Sequence, residues 1–529
     1  MKNNRKLVLC IGLSILLSFM LFGGEILIYP VNKEISTLDV FIFTAVTVFI
    51  CFPLIYGMVN VILKVGKNSI ERCILSKKQL QFRWGLFFAI IFGINLVYWI
   101  AFNPAIMYAD SYIQIAMGKG IRPYDAWQTM FTTIYYKILL DIFDSLTFVV
   151  LVQAFWWSIL FASIFWWFAN EFCHWRLMMV IAVIFSILPN QGLSVITVMK
   201  DALYVAALSW ITFIIIRLYF YPKRYFNSIR ICVEIVVCVI LLYLTRLNGV
   251  VAALGALISV MLLYKNKRRL IIMILSAICV ISIFSWGINH ISYIPVPAGS
   301  EYMALLNDIQ VVYTNDFSVS EETEDFLENV RDQGTFKSFY EEDVTYANNI
   351  YNFNYVHNYG LVNFVKIYLD TFLRHPVIIT RNILVRMLVA WDFQEIYAPV
   401  TVAGITEYEG DVEVIKSVFG WNTFPDYGGR KGNFMTVVLQ KLTDLSMKYP
   451  AKAVIWRTPL GLFAIALGTG ILALIKEKRG VIAFIPIFSH LFSLVLCTVW
   501  SNYRYFWPIS IAGLMLIFYS ILIVKKKGI

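Results

Sequence analysis

Apolar runs near the length of a bilayer crossing recur along the whole chain, and the short stretches between them carry most of the Lys and Arg. A hydrocarbon core about 30 Å thick takes about 20 helical residues to cross. The runs at 7–29, 38–63, 84–102, 146–168, 177–193, 201–220, 229–246, 249–264, 270–288, 457–475, 480–499 and 504–524 therefore predict about twelve transmembrane helices, in an all-α polytopic membrane protein. The first run follows a charged start (Lys2 to Lys6) but is longer than the apolar core of a signal peptide and no small-residue cleavage site follows, so it reads as a retained span.

Two stretches depart from the spanning pattern. From Trp127 the apolar positions recur as Trp127, Met130, Phe131, Ile134, Tyr135, Ile138, Leu139, Ile142 and Phe143, with Gln128, Thr132, Thr133, Lys137 and Asp141 opposite. A whole polar face is not kept in lipid, so a surface helix at headgroup depth is expected. The second is the long polar segment 289–455, which opens with acids (Glu301, Asp308, Asp316, Glu321, Glu322, Glu324, Asp325, Glu328, Asp332) whose ordinary explanation is a solvated surface. It turns amphipathic from Leu361 to Trp391, where Pro376 after Arg374 and His375 predicts the end of one surface helix and the start of another. Gly and Pro then thicken from Gly410 to Gly432, as in a loop. Four parts result: 1–83 with two N-terminal helices and a basic loop, the membrane core 84–288 containing the first external loop 103–145, the loop domain 289–455, and three C-terminal helices in 456–529.

Composition sharpens this without changing it. Hydrophobic residues make up 60% of the chain, which excludes a soluble globular class. The formal charge of +11 is no nucleic-acid footprint, because the basic residues lie in alternate loops as the positive-inside rule requires. With both termini in the cytoplasm, Asp110, Lys200, Asp201, Arg246, Asn248, the segment 289–455 and Arg504 all fall on the extracytoplasmic side of a cell membrane. The eight cysteines lie in or beside apolar runs, with no metal or disulfide spacing, and read as small buried hydrophobes.

Soluble catalytic signatures are absent: there is no G-x-G-x-x-G, P-loop, H-E-x-x-H or G-x-S-x-G. What remains is a set of charges at the ends of different spans, where desolvation makes charge costly. Each has a plain explanation. Asp110 is a helix N-cap as readily as a base; Lys200 and Asp201 could pair with each other; Arg246 could snorkel; Arg504 sits in an aromatic belt. The acids Glu407, Glu409, Asp411 and Glu413 could bind a divalent metal, although alternating acids in one loop are usually solvated, and the metal question stays open. Together, one candidate base and three candidate phosphate binders on one membrane face point to transfer chemistry on a lipid phosphate.

At these residues the chain resembles the GT-C superfamily of polytopic glycosyltransferases. The shared features are an acid early in the first large external loop (Asp110), the helix after it, the Lys200-Asp201 pair opening a later span, the Arg246-Leu247-Asn248-Gly249 turn, and the Arg504-Tyr505 start of a late span with Pro508. The resemblance covers 84–524 and is one of layout. It implies that Asp110 serves as general base, with Asp201 the next candidate, that Lys200, Arg246 and Arg504 bind the donor phosphate, and that Asn248 and Tyr505 belong to the site. Where many members carry a second acid beside the first, this chain has Ser111, which puts a metal role for that loop in doubt. The function expected is an extracytoplasmic, inverting glycosyltransferase that moves a sugar from a polyprenyl-phosphate donor to a cell-envelope glycan, lipid or protein. The alternatives are a transporter or flippase of lipid-linked glycans, and an envelope polysaccharide polymerase or ligase.

Overall fold

The structure is a computed structural model that describes residues 2–28, 37–68, 75–107, 109–226, 228–264, 266–288, 290–291, 293–315, 317–330, 351–394, 434–498 and 502–528. The acidic positions Asp316, Asp332 and 407–413 and the whole Gly-rich stretch 410–432 lie outside the described residues. Helix dominates. Among the described residues, strand pairing is confined to Tyr124–Asp125 running parallel to Tyr293–Ile294 and to a single bridge between Ile106 and Thr197.

Eight described helices are long and apolar enough to cross a bilayer: Asn3–Gly24, Thr44–Lys67, Lys77–Ala101, Leu146–Phe172, Lys200–Phe220, Arg268–Ile288, Lys478–Cys497 and Tyr503–Lys527. The chain is thus an all-α, multi-pass membrane protein, and among the described residues fewer helices reach the length of a full crossing than the apolar runs indicate. The run at 177–193 is two helices, Trp175–Ile187 and Pro189–Ile196, meeting at a 63° bend. The cause is local: Leu188 precedes proline and is extended at ψ 128°, and a pre-proline residue is disfavoured in the helical region. The expected spans at 229–246, 249–264 and 457–475 are helices of 17, 15 and 16 residues, shorter than a full crossing at 1.5 Å per residue.

The helix after the first loop runs Met130–Ile142, preceded by a 3-10 turn Ala126–Gln128, and its burial does not follow the apolar and polar faces of its pattern. Thr132 and Thr133 are fully buried and Gln128 nearly so, alongside Met130 and Leu139 of the apolar stripe, whereas Ile138, Ile142 and Phe143 stand exposed with Asp141 of the polar face. The inward hydroxyls and the outward Ile138, Ile142 and Phe143 have a physical reason. In water an apolar stripe has only the protein to hide against, but beside a bilayer the lipid is an equal solvent for Ile and Phe, and the hydroxyls seek partners inside.

The polar segment builds a small core of its own from Met303, Leu306, Ile309, Phe326, Val356, Phe364 and Ile367, separate from the membrane core. Its amphipathic part is divided where Pro376 requires, into Leu361–Arg374 and Pro376–Arg386 with His375 between. Asp308 corrects the expectation of a uniformly solvated acidic surface. It is fully buried, and both its oxygens accept from Arg386 at 2.9 and 2.8 Å, with Asn382 donating at 2.6 Å and Tyr368 at 3.2 Å. Burial pushes its carboxyl above the ordinary value, against the pull of Arg386 and these donors. Arg386 also donates to the Thr498 carbonyl at the end of the Ile485–Cys497 helix, so one buried guanidinium ties the polar segment to the membrane core. Arg386→Ala leaves Asp308 buried and uncompensated, and should cost about 3–5 kcal/mol. Thermal melting of the purified protein checks this: the apolar pair Asp308→Leu with Arg386→Met should melt closer to wild type than Arg386→Ala alone.

Candidate active site

Four separate stretches deliver the charged residues to one place, and backbone pairing explains the first two. The loop ahead of Asp110 runs beside the loop ahead of Lys200: Ile106 donates its N–H to Ile196 at 3.3 Å and accepts from Val198 at 3.0 Å. The buried Ser111 hydroxyl donates to the Val198 carbonyl. Ser111 is therefore a tie between the two loops. Gln153, buried in the Leu146–Phe172 helix, donates to the carbonyls of Val195 at 2.7 Å and Thr197 at 2.8 Å and so fixes the second loop.

Asp110 is not an N-cap. It lies in the first turn of the Ala109–Gly118 helix, and its side chain points to tertiary partners. Arg504 donates from Nη1 to Oδ2 at 2.7 Å, and Gln128 from Nε2 to Oδ1 at 2.9 Å. Burial opposes the charge on Asp110, but Arg504, Lys200 and these two donors outweigh it and hold the carboxyl well below the usual carboxylate range. Gln128 is itself held, since Gln114 donates to its carbonyl at 2.8 Å. Lys200 does not pair with its neighbour Asp201: its ammonium donates to the Trp127 carbonyl at 2.9 Å and lies 3.5 Å from Gln128 Oε1.

Asp201 faces Arg246 instead, with Nη1 3.1 Å from Oδ1. Both side chains are buried, at 1% and 7% exposure, which removes the snorkelling explanation for Arg246. The contact is an ion pair without hydrogen-bond geometry, and neither carboxylate oxygen of Asp201 has a hydrogen-bond partner. The Arg246 turn needs its glycine: a Cβ on Gly249 would fall 1.9 Å from the Leu242 carbonyl oxygen. Asn248 in that turn donates to Ser493 Oγ at 3.1 Å.

Tyr505 joins the two halves. Its ring packs against the guanidinium of Arg246 at 4.9 Å and that of Arg504 at 5.0 Å, and its hydroxyl accepts from Arg504 at 3.1 Å. Its backbone carbonyl lies 3.1 Å from His490 Nε2. A carbonyl only accepts, so His490 carries its proton on Nε2 and its Nδ1 accepts from Tyr204, 2.9 Å away. Tyr204 in turn stacks on Arg246 at 5.2 Å.

Asp110, Lys200, Asp201, Arg246, Arg504 and Tyr505 thus form one connected cluster, with Asn248 at its edge. Sequence reading missed Gln128 as a site residue, along with Tyr204 and His490. Gln128 was visible only as part of a polar face, and a lone histidine within an apolar run carries no pattern. Among the described residues no three His, Cys, Asp or Glu side chains are grouped to hold a metal ion. Three cations meet two carboxylates here, an excess of one positive charge beside an arginine pair already braced on an aromatic ring. Such an arrangement suits an anion. No protein-family model, curated protein or solved structure matches the chain.

Proposed function

We propose that this protein is an extracytoplasmic glycosyltransferase that moves a sugar from a polyprenyl phosphate to a hydroxyl of an envelope glycan, lipid or protein. The observation that carries the proposal is the meeting of Asp110, Lys200, Arg246 and Arg504, drawn from positions up to 394 residues apart, in one cluster with surplus positive charge. The layout resemblance to GT-C glycosyltransferases adds to it.

In the free protein Arg504 holds Asp110 as a weak base. The donor's phosphate competes for Arg504, and as the guanidinium turns to it the Asp110 carboxylate regains ordinary basicity. Asp110 then takes the acceptor's hydroxyl proton while that oxygen attacks the anomeric carbon from the face opposite the leaving group. The bond from that carbon to the phosphate oxygen breaks, and the electron pair leaves with the lipid phosphate. The phosphate gains one unit of negative charge, and Lys200, Arg246 and Arg504 stabilise it most where that charge develops. The configuration inverts. Arg246 keeps its orientation through the rings of Tyr204 and Tyr505. The polar segment, anchored through Arg386, supplies acceptor contacts.

Purified protein incubated with a radiolabelled polyprenyl-phosphate sugar and envelope acceptors should consume the donor and release polyprenyl phosphate. Movement of intact label across vesicles without consumption would instead make the protein a transporter.

A further inference from the structure

Two helices carry the candidate site at their first residues. Lys200–Phe220 begins at Lys200 and Asp201, and Tyr503–Lys527 begins beside Arg504 and Tyr505. Helices of 21 and 25 residues are about 30 Å long or more, the thickness of a bilayer core, so their other ends lie at the opposite membrane face. Between those ends is a cavity of about 700 Å³, within the range of small-molecule sites. Lys223, Arg224, Arg479 and Lys526 line it, together with the rings of Tyr219 and Phe220.

Among the described residues no carboxylate neutralises these four charges, although Arg224 lies over the Tyr225 ring at 5.7 Å. The cavity's acid, Glu477, is engaged by Lys527 at 2.7 Å. Of the three lysines that end the last helix, Lys525 donates to the Glu171 carbonyl and Lys527 pairs with Glu477; Lys526 alone turns over Tyr219 and Phe220, 5.3 Å from each ring centre. None of the four lining cations has an ion-pair partner among the described residues. Four uncompensated cations around a concave site, floored by two interfacial aromatic rings at headgroup depth, match one ligand chemistry: a phosphodiester anion with a glycerol body and acyl chains running into the bilayer. We infer that this cavity binds the headgroup of an anionic phospholipid, on the face opposite the candidate active site.

The full-length protein in phosphatidylcholine nanodiscs, titrated with phosphatidylglycerol and examined by native mass spectrometry, tests this. One phosphatidylglycerol per chain should be retained at least about tenfold more strongly than phosphatidylcholine, and Arg479→Gln with Lys526→Gln should weaken retention by about ten- to thirtyfold. Lys77→Gln with Lys78→Gln removes two exposed cations from the same membrane face, away from the cavity, and should leave retention unchanged. Equal loss in both variants would mean diffuse surface charge and overturn the inference. So would equal retention of the two lipids, or displacement of the lipid by millimolar inorganic phosphate. Melting temperatures in phosphatidylcholine alone establish that the variants fold; if the first does not, Lys223→Gln with Arg224→Gln takes its place, with the same outcomes deciding.

Discussion

Asp110→Asn is expected to lower sugar transfer by about 10² to 10⁴ fold, the cost of removing a positioned general base. The amide oxygen still accepts from Arg504 and Gln128, so the melting temperature should stay close to wild type. A purely structural Asp110 would act through Arg504, and the two roles separate in the kinetics. A lost base appears in kcat; a misplaced phosphate binder appears in the donor KM, and then Asp110→Asn adds nothing to Arg504→Gln. The pH dependence supplies a second measurement. The folded carboxyl lies below the ordinary 3.8, so the Asp110–Arg504 pair is fully present above that value and is lost only as pH falls through the lower folded one. The kcat/KM profile, which reports the free protein, should therefore show no acid inflection from Asp110 between about pH 4 and 7. The kcat profile reports the donor complex, and its acid limb should move upward if donor phosphate draws Arg504 away. Coincident acid limbs would remove the proposed exchange of partners.

Arg246→Ala is expected to cost about 2 to 5 kcal/mol of transition-state stabilisation, or roughly 30-fold to several-thousand-fold in kcat/KM, if Arg246 contacts the departing phosphate. Its position at the end of an apolar run implies that the fold is spared, and the structure changes that expectation. Arg246 is buried and faces Asp201, whose oxygens have no hydrogen-bond partner, so truncation leaves a bare carboxylate in the interior and the variant should also melt early. A second change separates the effects. Adding Asp201→Asn replaces the charge with an amide and should recover much of the melting temperature while transfer stays depressed. Recovery of transfer along with stability would make Arg246 a structural counterion to Asp201 and leave the phosphate to Lys200 and Arg504.

Much of this site is legible in the chain because charge at the edge of a bilayer is rare and costly. Asp110, Lys200, Asp201, Arg246 and Arg504 stand out against apolar neighbours, and a window of composition is enough to find them. Their partners are not legible. Lys200 and Asp201 are adjacent in sequence, yet a helix turns consecutive side chains about 100° apart, and the two go to Trp127 and Arg246.

By itself the sequence determined the class: apolar runs of bilayer length can be buried only as membrane helices, because every backbone polar group in lipid needs a partner within its own segment. Its local breaks are legible too at Pro376, where a helix must end, whereas Pro189 lies inside the apolar run at 177–193 and the 63° bend there belongs to the structure. Tertiary structure alone decided that Thr132 and Thr133 of Met130–Ile142 turn inward while Ile138 and Ile142 stay outside, because Ile finds lipid as acceptable as a protein core. Asp308 is a buried counterion rather than one more solvated acid because Arg386, 78 residues away, is brought against it by packing. The pairing of Asp110 with Arg504 across 394 residues follows from the same cause: an ion pair is set by the distance between helix ends, which the hydrophobic pattern of either helix leaves unspecified.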